Sequence, residues 1–115
     1  MGAGALWAQP ASDAANLAKG KRLFMRCSAC HDAGETTPGK TGPTLKGVVG
    51  RPVGAVAGFR YSADMKSKTF LWDEAQLDAW LIQPTAVVPG TSMAFIGMPD
   101  AAERKATIAF LRNLK

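Results

Sequence analysis

Apolar positions recur at helical spacing in three stretches of the chain. Leu17, Gly20, Phe24 and Cys27 follow a capping candidate at Asp13, with Ser12 as the alternative. Leu77, Trp80 and Leu81 follow Asp73-Glu74-Ala75-Gln76, which has the look of a capping box. That helix is predicted to run to about Ile82 and to stop before Pro84. Thr107, Phe110, Leu111 and Leu114 form a third face, opened by Asp100 with Glu103 three residues on. Ser62 to Lys68 is read as one further short helix. Glycine inside a helix costs about 1 kcal/mol relative to alanine, so Gly20 points to a close contact with another helix. Phe110 is the residue expected over it.

The stretches between these elements lack periodicity. Asp32 to Thr41 is rich in Gly, Thr and Pro, Val48 to Ser62 carries Gly50, Gly54 and Gly58, and Thr85 to Met98 is read as a long loop. The middle stretch is expected to be an Ω-type loop. Met1 to Ser12 is rich in small residues and contains Pro10. It is read as a flexible leader before a single domain over 13–115. The pattern predicts an all-α domain of about four to five helices.

Composition narrows the classes. A chain of 115 residues is one small domain with limited core, so a bound apolar group would supply missing mass. Lys plus Arg is 14 against 9 Asp plus Glu, a formal net charge of +5. Such a surface suits an acidic protein partner or an anionic membrane face. The basic residues are dispersed and no nucleic-acid motif is present. No run is long enough to span a membrane. Met1 to Ala8 lacks the basic start and apolar length of a secretion signal.

The strongest chemical signal is Cys27-Ser28-Ala29-Cys30-His31, which reads as a c-type haem attachment site. Two cysteines three residues apart on a helical turn share a face and can bond two arms of one haem as thioethers. His31 is then placed as the proximal ligand. A structural zinc site wants four such ligands, and the chain has no other cysteine or histidine. A redox-active dithiol would want a strand–helix–strand setting, which the surroundings do not offer. A structural disulfide is weaker still.

A second stretch, Pro89-Gly90-Thr91-Ser92-Met93-Ala94-Phe95, offers a thioether on a loop far along the chain. Taken in order with Cys27–His31 and Gly42-Pro43-Thr44-Leu45, it resembles class I cytochromes c of the mitochondrial and bacterial soluble type. The resemblance covers roughly residues 18–115. It implies a small class I cytochrome c fold wrapped around one covalent haem c per chain, with Ω-type loops.

The resemblance also implies roles. Met93 would be the axial ligand opposite His31, preferred over Met98 because Pro89-Gly90-Thr91 and Phe95 match the ligand loop. The Pro43 carbonyl would take the other ring N–H of His31, Leu45 would pack on the haem, and Phe95 would exclude water. Arg51, Tyr61 and Trp72 match positions that serve the propionates, and Thr91 and Trp80 are counted among the haem contacts. Trp80 stands where relatives often carry tyrosine, and Met65 where many carry asparagine. Both departures fall in the distal pocket. Gly20 resembles the glycine at which the family's first and last helices cross.

The implied function is one-electron transfer, without catalysis at the metal, between a quinol-oxidising complex and a terminal oxidase, reductase or photosynthetic reaction centre. The expected compartment is the periplasm, or alternatively the mitochondrial intermembrane space, and the expected state is a monomer. Lys21, Arg22, Arg26 and Lys40 fall on or near the family's docking face. Thr85, Ser92, Pro99 and Asp100 occupy positions that are lysine in strongly basic relatives. A haem enzyme or sensor with a labile Met93, or a domain tethered to a larger oxidoreductase, are the alternatives.

Overall fold

A computed structural model describes residues 2–35 and 40–115, with side chains from Ala14 onward. The elements run α1 (Gly2–Ser28), α2 (Ala63–Lys66), α3 (Glu74–Ile82), α4 (Pro84–Val87) and α5 (Ala101–Arg112). α1 begins at Gly2, so Asp13 and Ser12, the capping candidates, fall inside the helix instead of opening it. The side chains of residues 1–12, expected as a leader, lie outside those described.

Local chemistry sets the other boundaries. Ser62 Oγ accepts from the Met65 N–H at 3.1 Å and opens α2. Asp73 Oδ1 accepts from Gln76 N–H at 2.8 Å and opens α3. Asp100 Oδ1 accepts from Ala102 and Glu103 N–H groups at 2.8 and 3.1 Å and opens α5. Each side chain satisfies donors that the first helical turn leaves free. α3 stops at Gln83, which is extended (φ −163°, ψ 102°) as the residue before a proline prefers. Here one expectation is corrected. Thr85 to Val87 are not loop, because Pro84 ends α3 and also takes the first turn of α4, where its fixed φ suits a helix and its missing N–H costs nothing.

α1 and α5 cross at Gly20. A Cβ there would strike the Ala106 carbonyl and lie 2.8 Å from Phe110 Cβ, so only glycine lets the helices approach this closely. Phe24 and Phe110 pack beside the crossing with ring centroids 5.0 Å apart. α5 also packs on α3, bridged on its outer side by Arg104 Nε to Asp78 at 2.8 Å and by Arg112 Nε to Glu74 at 2.7 Å.

The buried core joins Phe24 of α1, Leu77, Trp80 and Leu81 of α3, and Ile108 and Leu111 of α5 to Val48, Trp72 and Val88. The only β pairing among the described residues is an isolated antiparallel bridge, Pro52 with Leu71. Around it Trp72 N–H donates to Arg51 O at 2.8 Å and Val53 N–H to Phe70 O at 3.0 Å. These bonds hold the glycine-rich loop against the stretch before α3, and so place Arg51 and Trp72 side by side. No helix among the described residues is long and apolar enough to cross a membrane.

Candidate functional site

α1 ends in the attachment motif. His31 and Cys30 N–H groups both donate to the Cys27 carbonyl, at 2.8 and 3.0 Å, which turns the chain sharply after the helix. Gly42 N–H then donates to Cys30 O at 2.7 Å and Leu45 N–H to Asp32 O at 2.8 Å. Thr44 Oγ1 donates to Gly34 O at 2.6 Å. The Gly42–Leu45 segment is thereby pinned beside the motif.

His31 is buried, with 8% of its surface exposed. Its Nδ1–H donates to the Pro43 carbonyl at 2.6 Å. A carbonyl can only accept, so Nδ1 must carry the proton and Nε2 keeps its lone pair for a metal. Burial pushes the His31 pKa below its ordinary value, against the raising effect of the Pro43 bond, and Arg51 and Lys40 add to the lowering. The ring is therefore held neutral, as a ligand must be. Gly42 lies against it: a Cβ there would sit 2.7 Å from Nδ1 and 2.8 Å from Nε2. Burial pushes the half-buried Cys27 thiol up, while Cys30 is exposed.

A cleft of about 230 Å³ opens beside this motif. All twelve residues singled out from sequence line it: Cys27, Cys30, His31, Pro43, Leu45, Arg51, Tyr61, Trp72, Trp80, Thr91, Met93 and Phe95. They come from α1, α3 and three of the segments between helices. Thr91 Oγ1 accepts from Met93 N–H at 3.2 Å, a local turn that shapes the methionine loop. Trp72 and Trp80 meet edge to face with centroids 5.2 Å apart, and Phe70 meets Trp72 likewise at 5.0 Å. Met65 lines the same cleft.

Met98, the rival thioether, does not reach the cleft. It is 1% exposed and packs beneath α5, with its sulfur 3.6 Å from Thr107 Oγ1. The Thr107 hydroxyl has one proton, and the Glu103 carbonyl lies closer, at 2.9 Å. The sulfur contact is therefore mainly packing.

The cleft's polar groups test whether haem fits. Arg51 Nη1 donates to the carbonyls of Thr44 and Lys46 at 3.0 and 3.1 Å. Its Nε is buried with no protein partner. A buried guanidinium donor without an acceptor is costly, and a carboxylate in the cleft would satisfy it. Burial also lowers the Arg51 pKa, the sign expected of a cation short of a partner. Tyr61 accepts from Val56 N–H at 3.0 Å through its hydroxyl oxygen, which leaves its proton to donate. An otherwise apolar cleft with thiols at one edge, a neutral imidazole, a thioether and an orphan cationic donor fits an apolar macrocycle bearing acid groups. Zinc does not fit, because the described residues contain no group of three or more Cys, His, Asp or Glu that could hold it.

Sequence reasoning missed Phe59, which lines the cleft and packs edgewise on Tyr61 at 4.8 Å. It also missed Gly42 as the wall behind the His31 ring. Proximity in the chain to Tyr61 and Pro43 was the only signal for either.

Comparison with known proteins agrees. The cytochrome c family profile matches residues 17–115. Cytochrome c2 of Rhodomicrobium vannielii is 42% identical over 111 residues, covering 96% of this chain and 89% of that protein. Cytochrome c of Nigella damascena is 37% identical over 101 residues, covering 87% of this chain and 91% of the other. The solved structure of cytochrome cH from Methylobacterium extorquens superposes with a TM-score of 0.76 at 40% identity, covering 83% of this chain and 95% of that one. With Cys27 and Cys30 supplying the attachment motif, the chain belongs to the cytochrome c family and is a haem c electron carrier.

Proposed function

We propose that this protein carries single electrons with its haem iron held between His31 and Met93, and that it shuttles between a quinol-oxidising complex and an oxidase, reductase or photosynthetic reaction centre. The observation that carries the reading is the convergence of a ring-locked His31 and a loop-borne Met93 on one apolar cleft. Haem c, when bound, supplies a one-electron couple at its iron.

The chain's own residues do the rest. Cys27 and Cys30 would anchor the group, and Pro43 fixes the His31 ring with Nε2 left free to bind the metal. The Pro43 bond also raises the basicity of the imidazole. The Met93 thioether is a soft donor that favours the ferrous state and so raises the potential. His31 and Met93 would together hold the iron, which suits electron exchange and disfavours binding of a substrate at the metal. Trp72, Trp80, Leu81 and Phe95 exclude water, while Arg51 and Tyr61 offer donors to the acid groups. Arg26, exposed and at the cleft, gives its mouth a positive edge toward an acidic partner. The periplasm is the compartment this role fits.

The test is a visible spectrum of purified protein, oxidised and reduced, after acid–acetone extraction. Colour that stays with the polypeptide, sharp reduced bands and the far-red ferric methionine band are expected. Covalent haem without that band refutes Met93 ligation. Loss of the band in Met93→Ala but not in Met98→Leu completes the assignment.

A further inference from the structure

We propose that Asp64 is a positioning residue for the distal ligand, its carboxylate clasping the loop that carries Met93 and setting how readily that loop opens. The proposal rests on the His31/Met93 reading. Residues 89–97 have no regular structure. Their bonds within the loop region are Thr91 N–H to Val88 O at 3.0 Å and Met93 N–H to Thr91 Oγ1 at 3.2 Å. Among the described residues, one hydrogen bond ties this segment to another element: Gly90 N–H donates to Asp64 Oδ2 at 2.7 Å, across 26 positions of sequence.

The surroundings match that role. Asp64 lies in the first turn of α2, whose start is held by Ser62. Its other oxygen, Oδ1, is 3.8 Å from Lys68 Nζ, so the carboxylate is shared between an ion pair and the loop. Gly90 sits so close that a Cβ would lie 2.7 Å from Asp64 Cβ. Its φ is not positive, so an alanine there is excluded by Asp64 and not by the backbone. At its two ends the segment is anchored by the buried Val88 and by Met98 N–H on the Leu81 carbonyl at 2.6 Å. The clasp thus divides the span between two fixed points just before the ligand. A charged acceptor at 2.7 Å is the stronger class of hydrogen bond, moderated here by solvent at the loop.

Opening of the loop is read by imidazole, which binds ferric holoprotein only when Met93 leaves. Asp64→Ala is expected to tighten apparent imidazole affinity roughly fivefold, the effect of one partly exposed hydrogen bond to a charged group. Asp64→Asn keeps an acceptor oxygen and is expected within about twofold of the parent. Lys68→Ala, which removes the ion pair alone, is expected to do the same. Gly90→Ala forces the clasp apart from the other side and is expected to resemble Asp64→Ala. The clasp is overturned if Asp64→Ala leaves imidazole affinity unchanged while lowering the denaturant midpoint, which is the signature of a merely structural role. It is also overturned if Lys68→Ala has the same effect as Asp64→Ala. A parent protein without the ferric methionine band overturns the ligation reading itself. A parent with the band but an Asp64→Ala variant of unchanged affinity overturns only the clasp.

Discussion

Gly42→Ala tests the proximal side of the site in one methyl group. The new Cβ would meet three atoms of the His31 ring, two of them at 2.7 and 2.8 Å. The ring cannot yield freely, because Nδ1–H is held on the Pro43 carbonyl at 2.6 Å and the residue is buried. Either the ring tilts and that bond stretches, or the 42–45 segment moves and loses its ties to Cys30 and Asp32. A forced fit of one methyl costs about 1–3 kcal/mol. Weakening one hydrogen bond adds about 1 kcal/mol. Replacing glycine by alanine at a compatible φ returns about 0.4–1 kcal/mol through the unfolded chain. The net expectation is a loss of roughly 2 kcal/mol. Guanidinium unfolding of the holoprotein measures it, with potentiometry beside it. The potential should rise, since a His31 with a weaker Nδ1 bond is a less basic ligand and stabilises the ferric state less. Gly34→Ala is the control: nothing lies within 4 Å of a Cβ there, so that variant should be neutral or slightly stabilising. If the two alanines behave alike, the contact between Gly42 and the ring is not what holds His31.

Other expectations follow from the same geometry. Gly20→Ala should destabilise the holoprotein by about 1–3 kcal/mol in denaturant titrations, because the clash is with the Ala106 backbone and no side chain can swing away. A gain in stability would refute the close crossing. Arg51→Leu should lower the potential and the denaturant midpoint, since it removes a cation from the cleft and strips the Thr44 and Lys46 carbonyls of their donor. An unchanged potential would separate Arg51 from the acid groups. Met98→Leu conserves volume in a dry site and should cost less than about 1.5 kcal/mol. Reduction of the protein by an acidic partner should fall only gently with salt, because Thr85, Ser92, Pro99 and Asp100 stand where the resemblance expects lysines in strongly basic relatives. A steep decline would contradict this.

Much of the site was legible because its chemistry is compact in sequence. Cys27, Cys30 and His31 lie within five consecutive positions, and Pro43 and Met93 each stand in a recognisable short motif. The caps at Asp73 and Asp100 are likewise local, since a side chain reaches only two or three residues along. Pro84 was half read: a proline ends one helix and starts another by the same restricted φ, and the sequence alone favoured the ending. The bond from Asp64 to Gly90 carries no period and no motif. Phe59 enters the cleft because a glycine-rich loop folds over it, and loops of that kind have no pattern from which to infer direction.

The crossing of α1 and α5 bears on the order in which the protein can be assembled. Thr107 and Leu111 of the last helix line the cleft whose opposite edge is built by the end of the first. The cleft therefore cannot close until α5 has emerged and docked, whereas Cys27 and Cys30 precede it in the chain. Until α5 docks, the two thiols stand on a chain that lacks this wall of the cleft. Anything that delays the docking of α5 prolongs that open interval, so a change at Gly20 would alter the timing of maturation as well as the stability of the finished protein.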